Sequence, residues 1–97
     1  MIQVITTVDN KKNANKIAQI LLDKKLATCI QIFPIDSLYK WKNKKIKSKE
    51  LILFIKGKNF KKIEKVIKEV HPYKIPEIIQ VKITKANKDY LNWIENA

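Results

Sequence analysis

"ATCIQIFPIDSLYKWKNKKIKSKELILFIKG", residues 27–57, decides how this chain folds. Cys29, Ile30, Ile32, Phe33, Ile35, Leu38, Tyr39 and Trp41 give the first half the β-branched and aromatic content of extended structure. Pro34 has no N–H for a ladder, so it marks a bulge, a bend or an edge. "KNKK" (42–45) reads as a turn, with Asn43 the residue best suited to positive φ. "IKSKELILFIKG" (46–57) returns as a second strand. At about 3.3 Å per residue, arms of about a dozen residues reach about 40 Å. That is longer than a small sheet needs, so the tip should protrude.

Outward from the hairpin, the pattern is regular. "MIQVITTV" (1–8) reads as a short buried strand, and "DN" (9–10) supplies a helix cap. Ala14, Ile17, Ala18, Leu21, Leu22 and Leu26 then form an apolar helical stripe. Past Gly57, Asn59 caps a second helix marked by Phe60, Ile63, Ile67 and Val70. "HPYKIPEI" (71–78) breaks it, because a residue preceding proline avoids the α region. "EIIQVKIT" (77–84) is a fourth strand, and "KANKDYLNWIENA" (85–97) closes with a short helix carrying Tyr90, Leu91, Trp93 and Ile94. The order is that of an α+β, ferredoxin-like βαββαβ unit with a C-terminal helix. Two helices on one sheet face leave the other face bare, and a bare apolar face predicts self-association.

Composition narrows the function. The 97 residues suit one domain spanning 1–97. All 21 basic residues are lysine, against 9 acidic ones, for a net charge of +12. Such a charge attracts polyanions non-specifically. Specific readers of guanine and phosphate favour arginine, which is absent, so most of this charge reads as solvated faces. The strands corresponding to an RNA-recognition platform carry only Phe54 as an aromatic, which removes that reading. One cysteine, Cys29, excludes an internal disulfide and a four-cysteine zinc site; it reads as a small buried hydrophobe. No apolar run approaches the roughly 20 residues of a membrane span, and the opening residues lack signal-peptide character, so a cytosolic protein is expected. There is no P-loop, nucleophile elbow or second histidine, so no enzyme is expected. His71 and Glu77 could hold a divalent metal or act as an acid–base pair. The segment that carries them also reads as a plain helix-to-strand corner.

"KKLATCIQIFPIDSLYKWKNK" (24–44), "HPYKIPEII" (71–79) and "DYLNWI" (89–94), with "VITT" (4–7) ahead of them, resemble the CutA family of divalent-cation tolerance proteins over nearly the whole chain. The resemblance implies a homotrimer of ferredoxin-like subunits whose long hairpins pair with neighbours. It implies intersubunit clefts holding Cys29, Trp41, Lys56, His71, Tyr73, Pro76, Glu77, Tyr90 and Trp93. It implies weak binding of divalent metal, mainly copper, with His71 and Glu77 as the ligands carried over. Three positions depart from the family pattern: Thr6 where some members place a cysteine ligand, Lys74 after "HPY", and Asn43 where the turn usually has glycine. The resemblance extends to the trimeric PII signalling proteins, which implies an alternative: a signalling or scaffold protein taking a small anionic ligand or a partner in those clefts.

Overall fold

A computed structural model describes residues 1–97. The elements are β1 (Ile2–Val8), α1 (Lys11–Asp23), β2 (Ala27–Trp41), β3 (Lys44–Gly57), α2 (Phe60–Val70), β4 (Ile78–Lys82) and α3 (Lys88–Asn96). The four strands form one antiparallel sheet in the order β2-β3-β1-β4. This is the split βαβ arrangement expected from the periodicities.

Each helix starts where its cap residue dictates. The Asn10 side chain accepts from the Asn13 N–H at 2.9 Å, and Asp9 accepts from the Asn13 amide at 2.8 Å. Asn59 accepts from the Lys62 N–H at 3.1 Å. α1 ends at Asp23 rather than running on to Leu26. Lys25 adopts φ 58°, and the Leu26 N–H donates back to Leu21 O at 3.0 Å. This left-handed cap turns Leu26, three residues past the end of the helix, onto the core.

Val4, Val8, Leu53 and Ile55 from the sheet meet Ala14, Ile17 and Leu21 of α1 and Ile63 and Ile67 of α2. All nine side chains are fully buried. The bare opposite face carries Ile5, Ile52, Phe54, Phe33, Ile79 and Val81, placed there by the registers Ile5↔Phe54, Ile5↔Ile79 and Phe33↔Ile52. Phe33, Ile79 and Val81 remain 41–47% exposed, and Phe33 meets Phe54 edge-on at 5.1 Å. The apolar face expected from the sequence is therefore present and uncovered in one chain.

The hairpin turns through two residues, Lys42 (φ 51°) and Asn43 (φ 63°), so Lys44 and Lys45 belong to β3 rather than to the turn. Positive φ at both central positions is the geometry that matches strand twist. The hairpin makes the molecule 45 Å long against 25 and 22 Å in the other directions. Pro34 lies on β2, an edge strand, and needs no bulge. The irregularity falls instead between Ala27 and Cys29. There an extra residue, Thr28, lets Ala27 face the core while Cys29 faces the bare side.

Gly57 is required by close approach. A Cβ at this position would stand 2.6 Å from Leu26 O and 2.8 Å from Ile63 Cδ1. Gly57→Ala is expected to destabilise the fold by about 1–3 kcal/mol, as overpacking does, read as a lower denaturant midpoint. An unchanged midpoint would show that the backbone of Leu26 yields freely.

Candidate functional site

Three pieces of chain converge beyond the end of β1. The hairpin arms contribute chiefly Tyr39, Trp41, Ile46, Lys49 and Glu50, the end of β1 contributes Thr7 and Asp9, and the corner between α2 and β4 contributes Tyr73, Lys74, Ile75 and Glu77. They enclose an open cleft of about 700 Å³. Its polar groups are mixed in sign: Asp9, Glu50 and Glu77 against Lys49 and Lys74.

His71 builds the corner from outside that cleft. Its backbone N–H closes α2 on Ile67 O at 2.8 Å, and its φ/ψ of −74°/134° is the extended geometry a following proline imposes. The ring then links two segments far apart in sequence. Nε2 lies 2.8 Å from Thr7 O, and Nδ1 lies 3.1 Å from the Tyr73 N–H. A carbonyl can only accept and an amide can only donate, so Nε2 carries the proton and Nδ1 supplies the lone pair. Tyr73 meets the imidazole edge-on at 4.8 Å, and its hydroxyl donates to Glu50 Oε2 at 2.7 Å. The histidine thus fixes the corner, the corner fixes Tyr73, and Tyr73 anchors the one carboxylate on β3.

One protomer does not bring His71 and Glu77 together as a ligand set. Both imidazole nitrogens are already hydrogen-bonded, while Glu77 is exposed and lines a cleft that His71 does not. Nowhere does the chain gather three His, Cys, Asp or Glu side chains in positions to hold a metal. Thr6, at the position where some relatives of the resembled family carry a cysteine, is fully buried on the helix side of β1. A side chain there points into the core, not into the cleft.

The other residues drawn from the resemblance separate into two groups. Trp41, Tyr73 and Glu77 line the hairpin cleft. Cys29, Lys56, Tyr90 and Trp93 sit at the opposite end of the bare face, where Cys29 pairs with Lys56 in register and the rings of Tyr90 and Trp93 lie 5.8 Å apart. Lys56 Nζ donates to Gln31 Oε1 at 2.8 Å. α3 is fastened here by Ile94, which is buried, and by Thr28 Oγ1 and Lys58 Nζ donating to Ile94 O and Glu95 O. Cys29 is half-buried rather than a core residue. Cys29 and Trp41 stand 12 residues apart on one strand, about 40 Å. Glu50 and Asp9 are the site residues that sequence reasoning missed. For Glu50 the available signal was charge: it and Asp36 are the only acids of the lysine-rich hairpin, one on each arm.

Burial, and then the hydrogen bond to Glu50, raise the Tyr73 hydroxyl well above the ordinary tyrosine range. Burial and the neighbouring Cys29 thiol raise Tyr90 in the same direction. A raised acid favours its neutral form in the fold, so the stability it contributes is present below about pH 10 and is lost as pH rises past that value. Tyr73→Phe is expected to cost about 1 kcal/mol at neutral pH by removing the bond to Glu50. It should also shallow the alkaline fall in stability, leaving the part due to Tyr90. Denaturant titrations at neutral and alkaline pH measure both; an identical alkaline slope in the variant would contradict the assignment.

Comparison with known proteins bears on the site. Residues 2–97 match the family described as CutA1 divalent ion tolerance protein. The divalent-cation tolerance protein CutA of Thermus thermophilus is 35% identical over 94 residues, covering 94% of this chain and 91% of that one. Crystal CutA1 from Pyrococcus horikoshii superposes with a TM-score of 0.93 at 31% identity, covering 99% and 96% of the two chains. The Archaeoglobus fulgidus structure, named as a periplasmic divalent cation tolerance protein, gives 0.94 at 32% identity, covering 99% and 97%. No helix of this chain is long and apolar enough to cross a membrane. With the family matched along almost its full length and the fold superposing this closely, the chain belongs to the CutA divalent-cation tolerance family.

Proposed function

We propose that the chain is a homotrimeric binding protein of divalent-cation tolerance, not an enzyme, that contacts copper weakly in clefts completed by a neighbouring copy. The uncovered apolar face carries this reading. It runs from Val81 and Ile79 through Phe54 and Phe33 onto the hairpin residues Ile35, Tyr39, Trp41 and Ile46. A contiguous apolar face of this kind marks an interaction surface. Two further observations support it. The two groups of site residues lie at opposite ends of one protomer, so a head-to-tail neighbour would join one group to the other. Ser48 Oγ, on the same face, is shielded yet has no hydrogen-bond partner within the chain.

Copper accepts imidazole and carboxylate ligands. Glu77 offers a free carboxylate, but His71 can bind only by giving up its bond to Thr7 or to Tyr73. That competition, together with the nearby Lys74 ammonium, accounts for weak affinity. A cytosolic setting, where thiols stay reduced, suits the unpaired Cys29. The alternative is a PII-like signalling or scaffold role with a small anion in the cleft. The cleft's volume and its pairing of Tyr39 and Trp41 with Lys49 and Lys74 favour that reading, since small-molecule sites combine such walls with a few placed charges.

Light scattering on the eluting protein should give three times the 11.4 kDa protomer mass, and Phe33→Glu should lower it. A parent that elutes as a monomer overturns the trimer. Calorimetric titration with copper(II) should show weak binding that His71→Ala and Glu77→Gln each reduce several-fold. Unchanged binding in both variants removes these residues from the metal contact and leaves the anion reading.

A further inference from the structure

The hairpin has a second face. Beyond Pro34↔Leu51 the register places Lys45, Lys47 and Lys49 on the helix side of β3, opposite Lys40, Leu38 and Asp36. All four lysines are exposed. Alternate residues on a strand stand about 7 Å apart, so β3 presents an evenly spaced row of ammonium groups. Lys40 lies directly across from Lys45. Like charges in that relation destabilise a ladder. Among 21 lysines the chain has only two ion pairs, and only one, Lys49–Asp36 at 3.3 Å, involves this row. Lys40, Lys45 and Lys47 are uncompensated on a protruding ribbon.

We propose that this row is a docking surface for the phosphate backbone of double-stranded nucleic acid, bound without regard to sequence. A regular row of cations on a stiff two-stranded ribbon complements a regular row of phosphates, and a bound phosphate relieves the Lys40–Lys45 repulsion. Lysine positions phosphate as a point charge, and no arginine is present to read bases bidentately. A lipid surface fits less well. Interfacial binding requires apolar groups beneath the cations. Here the aromatics Tyr39 and Trp41 point to the opposite side of the ribbon, leaving Leu38 alone among the lysines. The surface does not depend on the cation reading of the cleft, because the three uncompensated lysines, Lys40, Lys45 and Lys47, are not among the cleft's lining residues.

The test is fluorescence anisotropy with a short labelled DNA duplex of mixed sequence, between about 50 and about 200 mM salt. The parent should bind at the low end. Replacing Lys40, Lys45 and Lys47 together by Gln should reduce the log–log salt slope by about 2.7, at about 0.9 per phosphate contact. Those contacts alone account for about a 40-fold loss of parent affinity over that fourfold rise in salt. Replacing the same three by Arg should preserve the slope and guard against a folding artefact. Replacing Lys11, Lys12 and Lys16, exposed on α1, by Gln should leave most of it. Absence of duplex binding at low salt overturns the proposal. So does an equal loss in the two Gln triples, which would mean net charge alone, or tighter binding to phosphatidylserine-containing vesicles than to the duplex.

Discussion

Thirteen consecutive cross-strand pairs, from Cys29↔Lys56 to Trp41↔Lys44, run without a slip along the hairpin, and the side-chain alternation they impose governs the rest of the molecule. A strand has a period of two, so one register decides the face of every residue on both arms. The Thr28 bulge sets that register. Upstream, Ala27 faces the core beside Gly57; downstream, Cys29 faces away beside Lys56. From that point the aromatics fall on one side of the ribbon and most of its lysines on the other. A single-residue slip would bury lysines against the helices and turn Ile30 and Ile32 out to water.

The helices and the site depend on this ladder in different ways. α1 and α2 need only its core side, where Leu53 and Ile55 complete a cluster closed to solvent. The cleft needs the continuation of the arms past the sheet, because nothing else could stand opposite the His71 corner. Tyr73 reaches Glu50 across that gap. The corner is stiff in its own right, with two prolines in its sequence and a histidine ring bonded at both nitrogens. One wall of the cleft is therefore set by local backbone restriction and the other by a long-range ladder.

Periodic features were legible in the sequence and pairwise ones were not. The stripes of α1 and α2 follow from spacing, the caps at Asn10 and Asn59 from residue type, and the bare face from the order of the elements. Asn43 announced the turn, but Lys42 did not, since lysine has no preference for positive φ. Leu26 continued the helical stripe on paper and left the helix in fact, because a lysine in the left-handed region ended it first. The role of His71 was hidden for a plain reason. Its partner Thr7 is 64 residues away, and a backbone carbonyl leaves no mark in a sequence. Glu50 was hidden likewise, 23 residues from Tyr73. Family resemblance named residues at both ends of the bare face but could not show that one chain keeps them apart.

α3 is held unusually. Its first turn has no side-chain cap at Asn87, whereas its last turn is fastened through carbonyls that Thr28 and Lys58 reach from the sheet end. A helix tied at its exit and loose at its entrance opens from the entrance. The segment from β4 to α3 therefore behaves as a strap with a fixed buckle: its free length can lift while Ile94 stays seated. Amide exchange along Lys88–Asn96 would record that gradient, fastest at the entrance and slowest around Ile94.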